Sequence, residues 1–457
     1  MNARSGRARR VVLAVLVALA ARAPRAHAQA LAPSDSLLHA YVHSMSDSTD
    51  AWYGAAASPV DTAGLDSALA AGLARPRGRQ GGSGSNSARR GQHFSWSPAL
   101  GFNRADGGQL GAGLTLHLPL PGQLSGRAQY TTGTHDLLGE GAWGTSWAVP
   151  RLRSRLSFRI AAGRWSEAFD RDHYDPAYST FKALLHGNDR HHYLRRDGFT
   201  STLRLGGEAG LASIGWRDQL ESSLPYTTSW TLFGGDPKLT YNSPAAFGRA
   251  RELSLQGDAT IPHTRFRVNV AHWTSEPRLG SDFRYRRTRV TIGGDVSLGQ
   301  HLALVPQATY GRLRGEALSQ DAFFLGGATS LRTLERNQLA GTGQAFARVD
   351  LILVDDLRRL LHLPLPAWLP VQAGVFAASG SLWGRDALRG AATPTLRDWP
   401  RRSDWLSEVG GGLAWRPGVP DPLAALRFEY TLPIGADART AKFTLAFQRA
   451  VHLLPAR

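Results

Sequence analysis

The chain has 457 residues, a formal net charge of +17 and no cysteine. The missing thiols exclude a disulfide framework, a thiolate metal site and a cysteine nucleophile. Nearly all the positive charge is arginine, the only lysines being Lys182, Lys238 and Lys442. These arginines recur at alternate positions of extended segments and form no basic helix, which argues against a nucleic-acid partner.

In chain order, residues 1–28 read as a secretory signal peptide. Arg4, Arg7, Arg9 and Arg10 form a basic start, Val11 to Ala21 is apolar, and Ala26-His27-Ala28 supplies a small-residue cleavage site. The apolar run is too short to span a bilayer, and no other segment approaches the roughly 20 apolar residues that a transmembrane helix needs. Residues 29–91 read as a periplasmic leader. Ser34–Ser46 and Asp61–Leu73 are short helical patterns, and Pro76–Gly91 is a flexible basic linker.

Residues 92–457 then alternate apolar and polar side chains almost without interruption. Leu110, Ala112, Leu114, Leu116 and Leu118 share one face after an Asp-Gly turn at Asp106-Gly107. Long excursions are expected over Arg164–Asp197 and Ser223–Gly248. Further on, Leu253, Leu255 and Ala259 oppose Glu252, Ser254, Gln256 and Asp258. Phe283–Leu298 changes phase near Arg286-Arg287, which predicts a bulge there. Gln344–Val354 sets Ala345, Ala347, Val349, Leu351 and Leu353 against Gln344, Arg348 and Asp350. A turn containing Asp355–His362 leads to strands over Trp368–Trp383, Leu406–Gly418, Leu423–Ile434 and Ala441–Val451. In Leu423–Ile434, Phe428, Tyr430 and Leu432 oppose Arg427, Glu429 and Thr431.

This makes sixteen segments, with short connections alternating with long ones. Period-two alternation with short turns on one rim and long loops on the other predicts an all-β fold, a 16-stranded antiparallel transmembrane β-barrel. Lipid permits no unpaired sheet edge, and charged residues on the other face imply a wet interior. A soluble sandwich or propeller would leave a continuous apolar girdle in water, and nothing repeats at a blade period.

The most specific stretch runs from Asp321 to Val354 (DAFFLGGATSLRTLERNQLAGTGQAFARVDLILV), with Phe323, Phe324, Gly326, Gly327, Leu331 and Arg332 in its first half. It resembles the sixth extracellular loop and following strand of the BamA-type outer-membrane barrel superfamily, also called bacterial surface antigens. The likeness extends from His93 to about Val451 and includes the first hairpin GFNRADGGQLGAG, the Gly-rich GGGLAWRPG and the closing LRFEYTLPIG. It does not cover residues 29–91, which show no POTRA-like helix–sheet pattern.

The resemblance implies a sixth loop folded back into the lumen by the arginine of a Val-Arg-Gly-Phe/Tyr motif, held by an aspartate on a strand downstream. Here the motif stands as Leu331-Arg332-Thr333-Leu334, and the expected aspartate position in Gly374–Gly380 is Ala378. Asp350, Glu408 and Glu429, which alternation turns inward, are the candidate replacement partners. The resemblance further implies a weak seam between first and last strands, and a role in inserting or transporting protein or lipid. Its partners would be outer-membrane lipid and lipopolysaccharide, with unfolded outer-membrane proteins or lipids as clients. A passive pore and a barrel-type hydrolase are the rival readings.

No cofactor is called for. Asp170, Asp172, His173, Asp175, Asp189, His191 and His192 gather metal-capable groups, but their spacing matches no defined site and reads as a solvated loop. Ser254 and His272 belong to no triad that spacing can pick out, so no enzymatic role is expected.

Overall fold

The computed structural model describes residues 94–117, 122–149, 151, 154–170, 180, 183–184, 189, 191–207, 210–228, 230–231, 242–327, 330–353, 355–366, 371–384, 399–415, 424–435 and 439–449. The signal peptide, the leader with its two helical patterns, and the acidic loop residues Arg171–Asp175 lie outside them.

The strands are β1 (Phe94–Asn103), β2 (Gly107–His117), β3 (Gln123–Thr131), β4 (Leu137–Val149), β5 (Ser154–Ala168), β6 (Tyr193–Gly207), β7 (Gly210–Ser223), β8 (Gly248–Thr260), β9 (Arg267–Ser275), β10 (Tyr285–Gly293), β11 (Val296–Leu298) and β12 (Leu302–Gly315). They continue as β13 (Phe323–Leu325), β14 (Leu339–Gly341), β15 (Gly343–Leu353), β16 (Val371–Trp383), β17 (Trp405–Trp415), β18 (Ala424–Ile434) and β19 (Lys442–Arg449). Seventeen of these form one antiparallel sheet, while β13 and β14 form a separate hairpin. Both β10 and β11 pair with β12, so they are one strand interrupted at Gly294-Asp295, and the count of strand passes is sixteen. The ladders run between chain neighbours from β1 to β19. Among the described residues none joins β1 to β19.

The sheet is curled. Glu335 takes a hydrogen bond from Lys442 at the start of β19 (2.9 Å), while the next residue, Arg336, reaches His191 just before β6 (2.9 Å). In a flat sheet those strands, ten ladders apart, would be separated by roughly 48 Å at ~4.8 Å per strand. Two adjacent residues can touch both only if the sheet wraps around them. The wrapped segment is the β12–β15 connection with its β13–β14 hairpin.

Side chains sort by face as the alternation predicts. Leu110, Leu114, Ile214, Leu255, Val375, Leu413, Phe428 and Tyr430 are exposed on the outer face. Glu252, Asp258, Asn269, Gln344, Arg348, Asp350, Glu408 and Glu429 are buried on the inner one. The inner face also carries aromatics. Trp273, Tyr285, Phe346 and Phe376 are buried there, and all but Trp273 join Phe323, Leu325, Leu331 and Leu334 in one apolar cluster.

Two expectations are corrected. No bulge occurs at Arg286-Arg287, because β10 pairs without a break from Tyr285 to Gly293 on both sides. Arg287 turns inward and lies over the rings of Trp273 (4.7 Å) and Phe323 (4.6 Å), whereas Arg286 turns outward to Glu276 (2.6 Å). A guanidinium stacked on aromatics is tolerated where a bare charge would break the pattern. The first long excursion is also shorter than expected, since β5 runs to Ala168 and β6 starts at Tyr193. Arg195 and Arg196 are instead strand residues on opposite faces of β6, each with partners. Arg195 meets Asp106 (3.1 Å) and Asp136 (2.8 Å), and Arg196 meets Glu221 (2.9 Å) and Glu167.

One inner-face glycine makes room for the wrapped segment. A Cβ on Gly311 of β12 would stand 2.5 Å from the Phe323 ring. Gly311→Val suits a strand by propensity yet displaces that ring. The variant is expected to keep the full strand content by circular dichroism while residues 323–343 become cleavable by added protease.

Candidate functional site

The site is the segment 316–342 and the inner wall that holds it. Its backbone folds into successive tight turns. Gly326 donates its N–H to Ser330 Oγ (2.8 Å), Gly327 donates to the Leu331 carbonyl (3.1 Å), and Leu334 donates to that same carbonyl (3.3 Å). Gly326 sits at φ +124°, where a Cβ would strike the Glu335 carbonyl, so glycine is required there. The hairpin is stitched to the sheet by Leu313 N–H to Thr342 (2.7 Å), Thr342 N–H to Trp383 (3.0 Å), and Gln344 Nε2 to the Phe324 carbonyl (2.9 Å).

Phe323 and Phe324 point opposite ways. Phe323 joins the cluster of β8, β10, β12, β15 and β16, while Phe324 packs with Phe169, Leu194, Ala245 and Ala340 on the other side. Leu331 is fully buried, and Arg332 is 2% exposed.

Arg332 is buried in an ionic cluster. Its guanidinium contacts Glu429 of β18 and stacks on the Phe376 ring at 4.8 Å. Glu408 of β17 takes the backbone instead. Its Oε1 accepts from Arg332 N–H (2.8 Å), and its Oε2 accepts from the N–H (3.0 Å) and hydroxyl (2.8 Å) of Thr333. Asp350 of β15 is bound by the other two arginines of the cluster. It accepts two from Arg348 (2.7 and 2.6 Å) and one from Arg427 (3.1 Å). Arg427 also reaches Glu429 (2.8 Å), and Arg348 lies 3.9 Å from the centre of the same Phe376 ring. Three guanidiniums (Arg332, Arg348, Arg427) thus meet three carboxylates (Asp350, Glu408, Glu429), a formal sum of zero.

Ala378 faces inward, directly between Arg348 on β15 and Glu408 on β17. The carboxylates that meet the loop therefore stand one and two strands beyond the position at which the resemblance places an aspartate. Further ties come from Arg439 to Thr333 Oγ1 (2.8 Å) and Lys442 to the Leu334 carbonyl (3.3 Å). Sequence reasoning missed Phe376, Thr333 and Arg439. Alternation marks Phe376 as inward but does not show that its ring meets the guanidiniums of Arg332 and Arg348, and no periodicity covers the other two.

The rim above the loop is hydrogen-bonded as well. Arg336 donates to His191 Nε2 (2.9 Å), which leaves Nδ1–H to donate to Asp170 (2.7 Å). Burial would raise the Asp170 pKa, but His191 and Arg336 beside it lower it to about 2. Burial raises Asp189, which accepts from Tyr193 Oη and the N–H groups of His191 and Arg104. His192 is held below its ordinary value by burial, with its Nδ1 accepting from Ser243 N–H (3.0 Å). Among the described residues no group of three or more His, Asp or Glu is placed to hold a metal. No described helix is long and apolar enough to cross a membrane.

No protein-family model and no curated protein matches the chain. Among solved structures it is similar to BamA from Haemophilus ducreyi lacking POTRA domains 1–3 (14% identity, TM-score 0.48), covering 77% of this chain and 69% of that one. It is also similar to CdiB from Escherichia coli (14%, TM-score 0.38, 79% and 62%). CdiB from Acinetobacter baumannii gives 12%, TM-score 0.38, 78% and 59%. The chain spans less than two thirds of either CdiB.

Breaking one partner of a buried ion pair costs about 3–5 kcal/mol, more than replacing both by apolar groups. Arg332→Met and Glu429→Leu are each expected to loosen residues 323–343 to protease, and the double variant to recover part of the loss. In urea unfolding the cycle should show coupling of about 1–3 kcal/mol.

His192 predicts a pH effect at the rim. The folded state favours the neutral ring, so its stability is complete above the unfolded value near 6.5. Below that value the unfolded loop takes the proton first, and stability falls by up to ~1.4 kcal/mol per pH unit. The hydrogen-exchange protection factor of Ser243 N–H, corrected for the intrinsic pH dependence of exchange, should fall on mild acidification in the wild type and stay flat in His192→Asn.

Proposed function

We propose that this chain is an exported outer-membrane β-barrel protein that inserts or transports protein or lipid, with residues 323–343 as a plug inside it. The carrying observation is the ionic cluster. A passive conduit has no use for a loop whose arginine and backbone are both gripped by buried carboxylates, whereas a gated interior needs a reversible lock. The outer face supports the membrane assignment, because exposed Leu110, Leu114, Ile214, Leu255, Val375, Leu413 and Phe428 form an apolar belt that water would not tolerate and lipid would. The wall's partners would be outer-membrane lipid and lipopolysaccharide, and clients would be unfolded outer-membrane proteins or lipids. Residues 1–28 would direct export and be removed, leaving 29–91 on the periplasmic side.

Planar-bilayer conductance tests the plug. The refolded wild type is expected to be closed, and deletion of 323–343 or Arg332→Ala is expected to open a steady conductance. A wild type already open and unchanged by either alteration would make the protein a passive pore.

A further inference from the structure

The connection between β15 and β16, residues 354–370, lies on the rim where the other connections are short. Its described part is built, not loose. Asp356 caps a one-turn helix, Leu357–Leu360, by accepting from Arg358 N–H (3.1 Å), and it also accepts from Val371 N–H (3.1 Å), closing the base of the loop. Leu361 donates to Leu357 (2.9 Å), Leu363 to Arg358 (2.9 Å) and Leu365 to Leu363 (2.7 Å), and His362 takes φ +51° to turn the chain. His301, on the neighbouring short connection, bonds Asp355 at 2.5 Å.

This framework holds four leucines outward. Leu360 is 53% exposed, Leu361 57%, Leu363 38% and Leu365 36%. Such side chains in water normally fold onto the nearest apolar surface, and here the hydrogen bonds prevent it. The leucines continue a surface already apolar. Leu298 pairs with Leu302 and Leu302 with Leu353 across the ladders, and Leu298 and Leu302 are exposed on the outer face beside the connection. Arg359 stands among the leucines with its guanidinium largely in solvent, while Arg358 is turned back onto Asp356. Apolar side chains next to a solvent-exposed cation, in line with the lipid-facing belt, match the boundary between acyl chains and phosphates.

We propose that Leu357–Pro366 is an interfacial anchor that lies in the phospholipid leaflet on the short-connection rim. Leu360, Leu361, Leu363 and Leu365 enter the acyl boundary, and Arg359 meets lipid phosphate. This rests on the membrane reading above. It gives the rim a fixed depth in the leaflet at the strand pair that flanks the plug, since β15 begins directly after the β13–β14 hairpin and β16 carries Phe376.

The chain has no native cysteine, so single-site labelling is direct. Leu361→Cys and Val375→Cys, the latter an outward position on β16, would each carry a polarity-sensitive fluorophore. The full chain would be reconstituted in phosphatidylethanolamine–phosphatidylglycerol vesicles containing lipids with quenchers at shallow or deep positions. The expected result is shallow quenching at 361 and deep quenching at 375. Quenching at 375 with a water-exposed label at 361 overturns the anchor and leaves the membrane reading standing. No quenching at either site removes the membrane reading itself. A label at 361 that stays in water in vesicles and is shielded only on adding periplasmic extract assigns the leucines to a protein partner and overturns the lipid anchor.

Discussion

The buried guanidinium of Arg332 sets the terms for the rest of the interior. An arginine removed from water is costly unless its charge and its donors are met. Here Glu429 meets the charge, Phe376 offers a ring face, and Glu408 pins the backbone on either side of the Arg332–Thr333 peptide. The carboxylates come from β17 and β18, so the loop is tied to the last part of the sheet. Phe324 and Gln320 tie it to the β5–β8 side. The curl of the sheet and the burial of the loop are therefore one arrangement, since neither set of contacts can form without the other.

Arginine in place of lysine has a physical use in this wall. Arg348 binds both oxygens of Asp350 and at the same time lies over Phe376, and Arg287 lies between two rings. A planar, weakly hydrated guanidinium can bond in its plane and stack on its face, and an ammonium can do only the first well. Aromatics, arginines and carboxylates share the inner face, so the apolar cluster around Phe323 and Leu331 is bordered by paired charges.

Much of this was legible in the sequence, through one rule. A period of two assigns most outward leucines and most inward Asp, Glu and Arg correctly, because the two faces meet unlike surroundings. That rule also turned Asp350, Glu408 and Glu429 inward, and the structure brings all three into the cluster around Arg332, though Asp350 serves Arg348 and Arg427. The rule failed where a charge was compensated by a neighbour in space. Arg286-Arg287 looked like a break because stacking on Trp273 and Phe323 cannot be seen along the chain, and Arg195-Arg196 looked like loop because Asp106, Asp136 and Glu221 are far off in sequence. Depth was equally hidden. Nothing in the spacing of Glu408 says that it will bind backbone N–H groups and leave the guanidinium to Glu429.

The cluster's neutrality makes its release cooperative. Withdrawing Arg332 alone would leave two guanidiniums facing three carboxylates, with Glu408 also losing the N–H donors of Arg332 and Thr333. The remaining groups would then repel or draw in water, weakening the Arg348–Asp350 and Arg427–Glu429 contacts in turn. Above it, Arg336 and Glu335 are bonded to groups ten ladders apart in the strand order. The segment cannot peel away residue by residue without exposing buried charge at every stage, so two well-separated states are favoured over a continuum.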